Sequence, residues 1–196
     1  DRLRQSEEFH FYVGILGVGT LLIGGLLVLD QGFTGGVGAT VRHAVFQTAA
    51  IVTTTGYAST DFNTWSAGAK NILFVMMFIG GMAGSTTCSI KTLRWLVVTK
   101  SFWRDLNVSA YPRSVRPVRL SNEAISEDTV RDVYAYTLVA LVFFIIGTVL
   151  LVADGERASA PITEFEGLSA AASMFFNIGP AFGQAGPYGT YEGFAQ

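Results

Sequence analysis

Two stretches of this chain, Phe9–Leu29 and Val133–Val152, contain no acidic side chain, no lysine and no arginine; His10 is the only imidazole in either. A helix needs about 20 apolar residues to cross the hydrocarbon core of a bilayer, and both stretches reach that length. A third apolar stretch, Ala69–Val98, has Lys91 and Arg94 late in it. The first stretch is too long for the apolar segment of a cleavable signal peptide, and no Ala-x-Ala site follows it. Composition agrees with spanning segments: 50% of the 196 residues are hydrophobic, 14% are charged, and the mean hydropathy is +0.42. An ordinary soluble domain has about 25% charged residues. The expectation is an all-α membrane protein.

The same arithmetic removes other classes. Disorder requires low hydrophobicity and high net charge. A net charge of -2 offers nothing to nucleic acid. Cys88 is the single cysteine, so no disulfide forms within the chain; with only His10 and His43 as imidazoles, zinc and iron–sulfur sites have no ligand set. Basic residues set the expected orientation. Gly84–Asp132 holds Lys91, Arg94, Lys100, Arg104, Arg113, Arg116, Arg119 and Arg131, eight of 13, and Arg2 and Arg4 precede the first apolar run. The N-terminus and the central loop are therefore expected on the cytoplasmic side. The opposite segments hold only Arg42 and Arg157, against Asp30, Asp61, Asp154, Glu156, Glu164, Glu166 and Glu192. That negative face would concentrate cations; avoidance of translocated positive charge would produce it equally well.

The chain also repeats itself. At an offset of about 123 residues, Ala49–Gly56 lies over Ala172–Gly179, and Gly56 coincides with Gly179. Each copy reads as a spanning helix, a polar turn, an amphipathic run too short to span, and a glycine-bearing turn. The short runs are expected as half-helices over 37–52 and 161–176, with Pro161 in a first helical turn. Non-helical backbone at membrane depth is tolerated only where protein or water satisfies it, so two equivalent turns point to a water-filled path. Thr53-Thr54-Thr55-Gly56-Tyr57 offers mainly carbonyl and hydroxyl oxygens, hard ligands suited to alkali cations. Gly56 permits a positive φ that turns successive carbonyls to one side. Asn177-Ile178-Gly179-Pro180 repeats the idea, with Pro180 stiffening the chain after the glycine. The half-helices are expected to aim their negative C-terminal ends at the ion.

Four stretches together resemble the Trk/Ktr/HKT superfamily of potassium transporters, most closely its bacterial and archaeal TrkH type: Ala49–Trp65, Phe78–Trp95, Tyr111–Leu120 and Phe175–Gly183. The resemblance implies helix–pore loop–helix repeats around a pseudosymmetric ion pore, four to a chain, with this sequence covering about two: the third and most of the fourth. It implies repeat 1–100 with a broken second helix, a cytoplasmic connection 101–132, and a truncated repeat 133–196. It implies potassium as substrate, no cofactor, no enzyme activity, a homodimer, and a cytoplasmic nucleotide-binding regulatory subunit of the TrkA type. The expected place is the inner membrane of a prokaryote. Thr53, Thr54, Thr55, Gly56 and Tyr57 match one selectivity filter, and Asn177, Ile178, Gly179 and Pro180 the next. Potassium is expected at Thr54, Thr55, Gly56, Asn177, Ile178 and Gly179. Gly80, Gly81, Met82, Ala83, Gly84, Ser85 and Thr86 match an intramembrane gating loop. The chain departs from the family at Thr87-Cys88-Ser89, where more glycine is common, which implies a stiffer loop.

The loop is also legible without the family. As one straight helix, Ala69–Val98 would be about 45 Å long, too long for a core of about 30 Å. The glycines cost about 1 kcal/mol each in a helix, and Ser and Thr compete for backbone bonds. The break lies there, either as a gate beneath the filter or as close packing of small residues. Lys91 and Arg94 read as interfacial anchors or as contacts holding the loop. Residues 115–120 read as a short strand, Ser121-Asn122-Glu123 as a turn, and Ser126 as the N-cap of a helix. The basic face of this connection suits a regulatory subunit or anionic lipid headgroups. His10 is expected at an interface, His43 packed or outward, Cys88 small and buried, Trp65, Trp95 and Trp103 at membrane interfaces, and Phe175 and Phe176 in packing. No Gly-x-Ser-Gly, no His-Glu-x-x-His and no embedded aspartate pair supports an intramembrane enzyme. A sodium-conducting relative and a non-transporting sensor or scaffold remain as alternatives.

Overall fold

The computed structural model describes residues 6–29, 36–111, 117–121, 123–157 and 162–191. Arg2, Arg4, Asp30, Arg113, Arg116, Asn122, Pro161 and Glu192 lie outside the described residues.

Helix α1 (Glu7–Leu29) begins two residues before the charge-free run and covers all of it. It packs on α2 (Gly36–Val52), the first half-helix, and on α3 (Ala67–Met76). A Cβ at Gly19 would sit 1.8 Å from the Met76 methyl, so glycine lets α1 and α3 touch. The chain then leaves helical geometry. Strands β1 (Ile79–Gly80) and β2 (Ile90–Lys91) pair in parallel, and α4 (Thr92–Ala110) resumes. A short antiparallel ladder follows, β3 (Arg119–Leu120) on β4 (Glu123–Ala124). Helix α5 (Glu127–Arg157) is the second spanning-length helix, and α6 (Glu164–Phe175) the second half-helix. Single turns of tighter helix occur at Phe62–Thr64 and Gly183–Ala185.

The two ladders are the only strands among the described residues, so the fold is otherwise helical as expected. Helices α1 and α5 are long and apolar enough to cross a membrane. Only 22% and 17% of their most apolar windows are buried, which does not describe core helices of a soluble domain. Several expected boundaries move. Helix α4 runs to Ala110, so a division at residue 100 falls inside a helix, and much of 101–132 is helical. Ser126 Oγ accepts from Thr129 N at 3.2 Å, the expected cap of α5. Helix α6 starts at Glu164 rather than 161, because Thr163 and Glu166 form a reciprocal capping box.

One core joins the two repeats. Phe62 meets Phe182 at 5.2 Å between ring centroids, and Phe78 meets Phe144 and Phe176 at 5.0 and 5.1 Å, edge to face. Trp65, expected at an interface, is instead buried in this core at 3% exposure. Trp103 is exposed. Glu7 pairs with Lys100 and accepts from Ser121 N at 3.1 Å. The start of α1 and the connection after α4 therefore share one end of the molecule.

Candidate ion-coordinating site

Each half-helix ends in the same backbone turn. Thr54 and Asn177 have φ of 52° and 53°, and Gly56 and Gly179 have φ of 73° and 113°. These pairs stand 123 positions apart, the offset read from the sequence. The hydrogen bonds repeat as well. Thr53, Thr54 and Thr55 N–H donate to Ala49, Ile51 and Ala50 carbonyls; Phe176, Asn177 and Ile178 N–H donate to Ala172, Met174 and Ser173 carbonyls. The turns that follow thus close the carbonyls of Ala49, Ala50 and Ile51 in one half-helix and of Ala172, Ser173 and Met174 in the other.

The open oxygens lie one step further on. Among the described residues the carbonyls of Thr53, Thr54, Thr55, Gly56, Asn177 and Ile178 accept no hydrogen bond. Backbone carbonyls are strong acceptors and need a partner. Thr53 Oγ1 donates to Ala49 O at 2.7 Å and lies 2.7 Å from Thr55 Oγ1, which fixes both hydroxyls. Tyr57 O accepts from Gln47 Nε2 at 3.4 Å, and the Tyr57 ring is exposed. The two turns touch: a Cβ on Gly56 would lie 2.1 Å from Ile178 O and 3.0 Å from the Pro180 ring. No cluster of three or more His, Cys, Asp or Glu exists among the described residues. The available chemistry is neutral oxygen.

The second turn is braced from outside itself. Ser173 Oγ accepts from Gly179 N at 3.1 Å, and the Tyr191 hydroxyl donates to Gly179 O at 2.6 Å. Burial holds the Tyr191 hydroxyl above its ordinary range, so it stays a donor. Of the expected filter carbonyls, Gly179 and Tyr57 are already engaged, Gly179 by Tyr191 and Tyr57 by Gln47. Asn63 reaches across the repeats: its Oδ1 accepts from Gly183 N at 3.0 Å and its Nδ2 donates to Gly183 O at 3.2 Å. Sequence reading gave no role to Ser173, Tyr191 or Asn63; the fold brings Ser173 and Tyr191 to Gly179, and Asn63 to Gly183.

The loop between β1 and β2 lies against this site. Its feet are fixed by side chains that satisfy the carbonyls released where α3 unwinds: Ser89 Oγ on Met77 O at 3.0 Å, Trp95 Nε1 on Phe78 O at 3.0 Å, Thr92 Oγ1 on Gly80 O at 2.6 Å. Within it, Gly81 N donates to Thr87 Oγ1, and Ser85 Oγ lies 2.9 Å from Thr87 Oγ1. A Cβ on Gly81 would meet Ser85 Oγ at 2.8 Å; Gly84 needs glycine for another reason, a φ of 86°. Ala83 N donates to Glu8 Oε1 at 2.6 Å, while the Thr86 side chain faces outward and its carbonyl lies 3.9 Å from Cys88 Sγ. Lys91 Nζ donates to Ser85 O at 2.9 Å, which makes it a loop contact; Arg94 instead stacks on Tyr136 at 3.9 Å. Cys88, expected to be buried, is exposed, and its sulfur lies 3.9 Å from Asn177 Nδ2. His43 bonds Ser59 Oγ at 2.9 Å.

The family model for TrkH, a cation transport protein, matches residues 33–190, which include both turns and the loop. The chain belongs to the TrkH family. Among curated relatives, the Trk system potassium uptake protein TrkH of Vibrio parahaemolyticus is 29% identical over 180 residues, covering 92% of this chain and 36% of that protein. TrkI of Halomonas elongata is 32% identical over 152 residues, covering 77% and 30%. The crystal structure of the potassium transporter TrkH from Vibrio parahaemolyticus superposes with a TM-score of 0.80 at 29% identity, covering 92% of this chain and 37% of that one. The chain thus spans about a third of the length of these relatives.

Proposed function

We propose that this chain supplies two of the repeats of a potassium-translocating membrane protein, and that the turns at Thr53–Tyr57 and Asn177–Pro180 are adjacent quarters of its selectivity filter. The observation that carries the reading is the pair of matched turns, in contact at Gly56 and Ile178, with neighbouring carbonyls that lack partners. A dehydrating cation requires several oxygens in place of its water. Neutral carbonyls suit an alkali ion, which has to leave again. The naming of the TrkH relatives as potassium uptake proteins supports potassium as the ion. Their naming as parts of a Trk system supports a multi-component assembly, to which we add the regulatory subunit and the homodimer. In the same reading the loop from Gly81 to Ser89 is the gate, because it hangs beside Asn177 from two fixed feet.

The test is rubidium and sodium uptake in a potassium-uptake-deficient host, using the protein that carries this chain. Wild type is expected to prefer rubidium. Gly56→Ser is expected to lose flux or selectivity while the protein still inserts in the membrane. Unchanged transport in that variant ends the filter assignment. Sodium flux equal to rubidium in wild type ends potassium selectivity.

A further inference from the structure

A cavity of about 360 Å³ is walled by the loop, α4 and the start of α5, and no residue of the two proposed filter turns is among those lining it. Ala83 and Gly84 of the loop form one wall, Val97 and Val133 are among the apolar residues lining it, and Lys91 and Arg94 supply its charge. The other basic side chains of α4 already have carboxylates: Lys100 pairs with Glu7, and Arg104 with Glu127 and Asp105. Lys91 and Arg94 pair with none among the described residues. Glu8 touches the loop at Ala83 N but makes no ion pair with either. One Lys91 proton is spent on Ser85 O; the Arg94 guanidinium carbon lies 3.9 Å from the Tyr136 ring centroid, and its N–H groups have no acceptor among the described residues.

A mostly apolar cavity with two uncompensated cations is complementary to a molecule with one anionic head and hydrocarbon attached. Lys100 of α4 pairs with Glu7 at the start of α1, and Val97 packs with Val118 and Val130, so the cavity lies near the end of the molecule where α1 and α5 begin. We propose that it binds a phosphate ester, and specifically the phosphodiester head of an anionic membrane phospholipid, with Lys91 and Arg94 on the phosphate and the acyl chain along Val97 and Val133. Basic pockets between helices at a membrane face bind such heads in general. An occupied cavity would also stiffen the loop, since Ala83 and Gly84 line it.

The test measures lipid retention rather than transport, so it stands apart from the filter reading. The detergent-extracted protein carrying this chain is given equal amounts of phosphatidylglycerol and phosphatidylcholine, and retained lipid is counted by native mass spectrometry. Wild type is expected to retain phosphatidylglycerol in preference. Lys91→Gln and Arg94→Gln are each expected to lower retention about fivefold. Lys91→Arg, Arg94→Lys and Lys100→Gln are expected to leave it unchanged. Equal retention of the two lipids by wild type overturns the proposal without any variant. So does undiminished retention in the double glutamine variant. Displacement by millimolar inorganic phosphate assigns the cavity to a soluble anion and overturns the lipid reading.

Discussion

The two turns proposed as filter share a backbone but not a means of holding it. In the first, Thr53 and Thr55 brace each other through their own hydroxyls, and a β-branched threonine stands at φ 52°. That conformation is uncommon for any non-glycine residue and strained for a branched one. In the second, asparagine occupies the same position, where its short polar side chain is better tolerated, and Ser173 and Tyr191 hold the glycine peptide from both sides. At the offset of 123, Tyr191 corresponds to Gly68 and Ser173 to Ala50, so the first turn has no equivalent braces. Backbone shape is thus the repeated quantity. The side chains securing it are local solutions, one strained and braced mainly by its own threonines, the other buttressed at its glycine.

Substitutions that separate the turns test that contrast. The largest effect is expected at Gly56. Alanine there costs about 1–2 kcal/mol for its positive φ and also drives a methyl to 2.1 Å from Ile178 O. Gly179→Ala carries conformational strain with nothing within 4 Å. Rubidium uptake is therefore expected to fall further in Gly56→Ala than in Gly179→Ala, and equal losses would deny the contact between turns. Deleting several residues within Gly81–Thr87 is expected to raise basal flux several-fold, read by the same uptake; flux that stays low and regulated removes the gate. Asn63→Ala loses both bonds to Gly183 and is expected to cost about 1–3 kcal/mol, seen as a lower thermal midpoint in detergent. Tyr191→Phe removes one hydrogen bond from Gly179 O, about 1 kcal/mol, and is expected to shift the rubidium-to-sodium ratio about fivefold. The smallest change is expected from Thr54→Asn, which copies the second turn into the first and should leave uptake within about twofold of wild type, because asparagine relieves the strain of the branched side chain.

How much of this could be read in advance depended on range. The spanning helices were plain because a run without charge is a local property, and the gap at Gly80–Thr87 because glycines and hydroxyl residues disfavour helix one position at a time. The repeat offset placed both turns correctly because the glycines anchor them. Thr54 at positive φ was not legible, since threonine gives no hint of it; Asn177 did give one. The start of α6 was misplaced because the capping box of Thr163 and Glu166 outweighs the preference of Pro161 for a first turn. Cys88 and Trp65 exchanged expected environments because hydrophobicity alone does not say which way a loop or a turn faces. The braces at Asn63, Ser173 and Tyr191 depend on which repeat packs on which, and that is long-range information.

The loop after α3 has one further consequence. Its base is riveted by Ser89, Thr92 and Trp95, whereas its tip is held to its surroundings by Ala83 on Glu8, Lys91 on Ser85 and the weak touch of Cys88 on Asn177. Motion that spares the base breaks only those tip contacts, and the two that involve Glu8 and Lys91, being to charged groups, are worth about 1.5–3 kcal/mol each. Displacing the tip therefore asks for a handful of bonds, and the helices on either side keep their own.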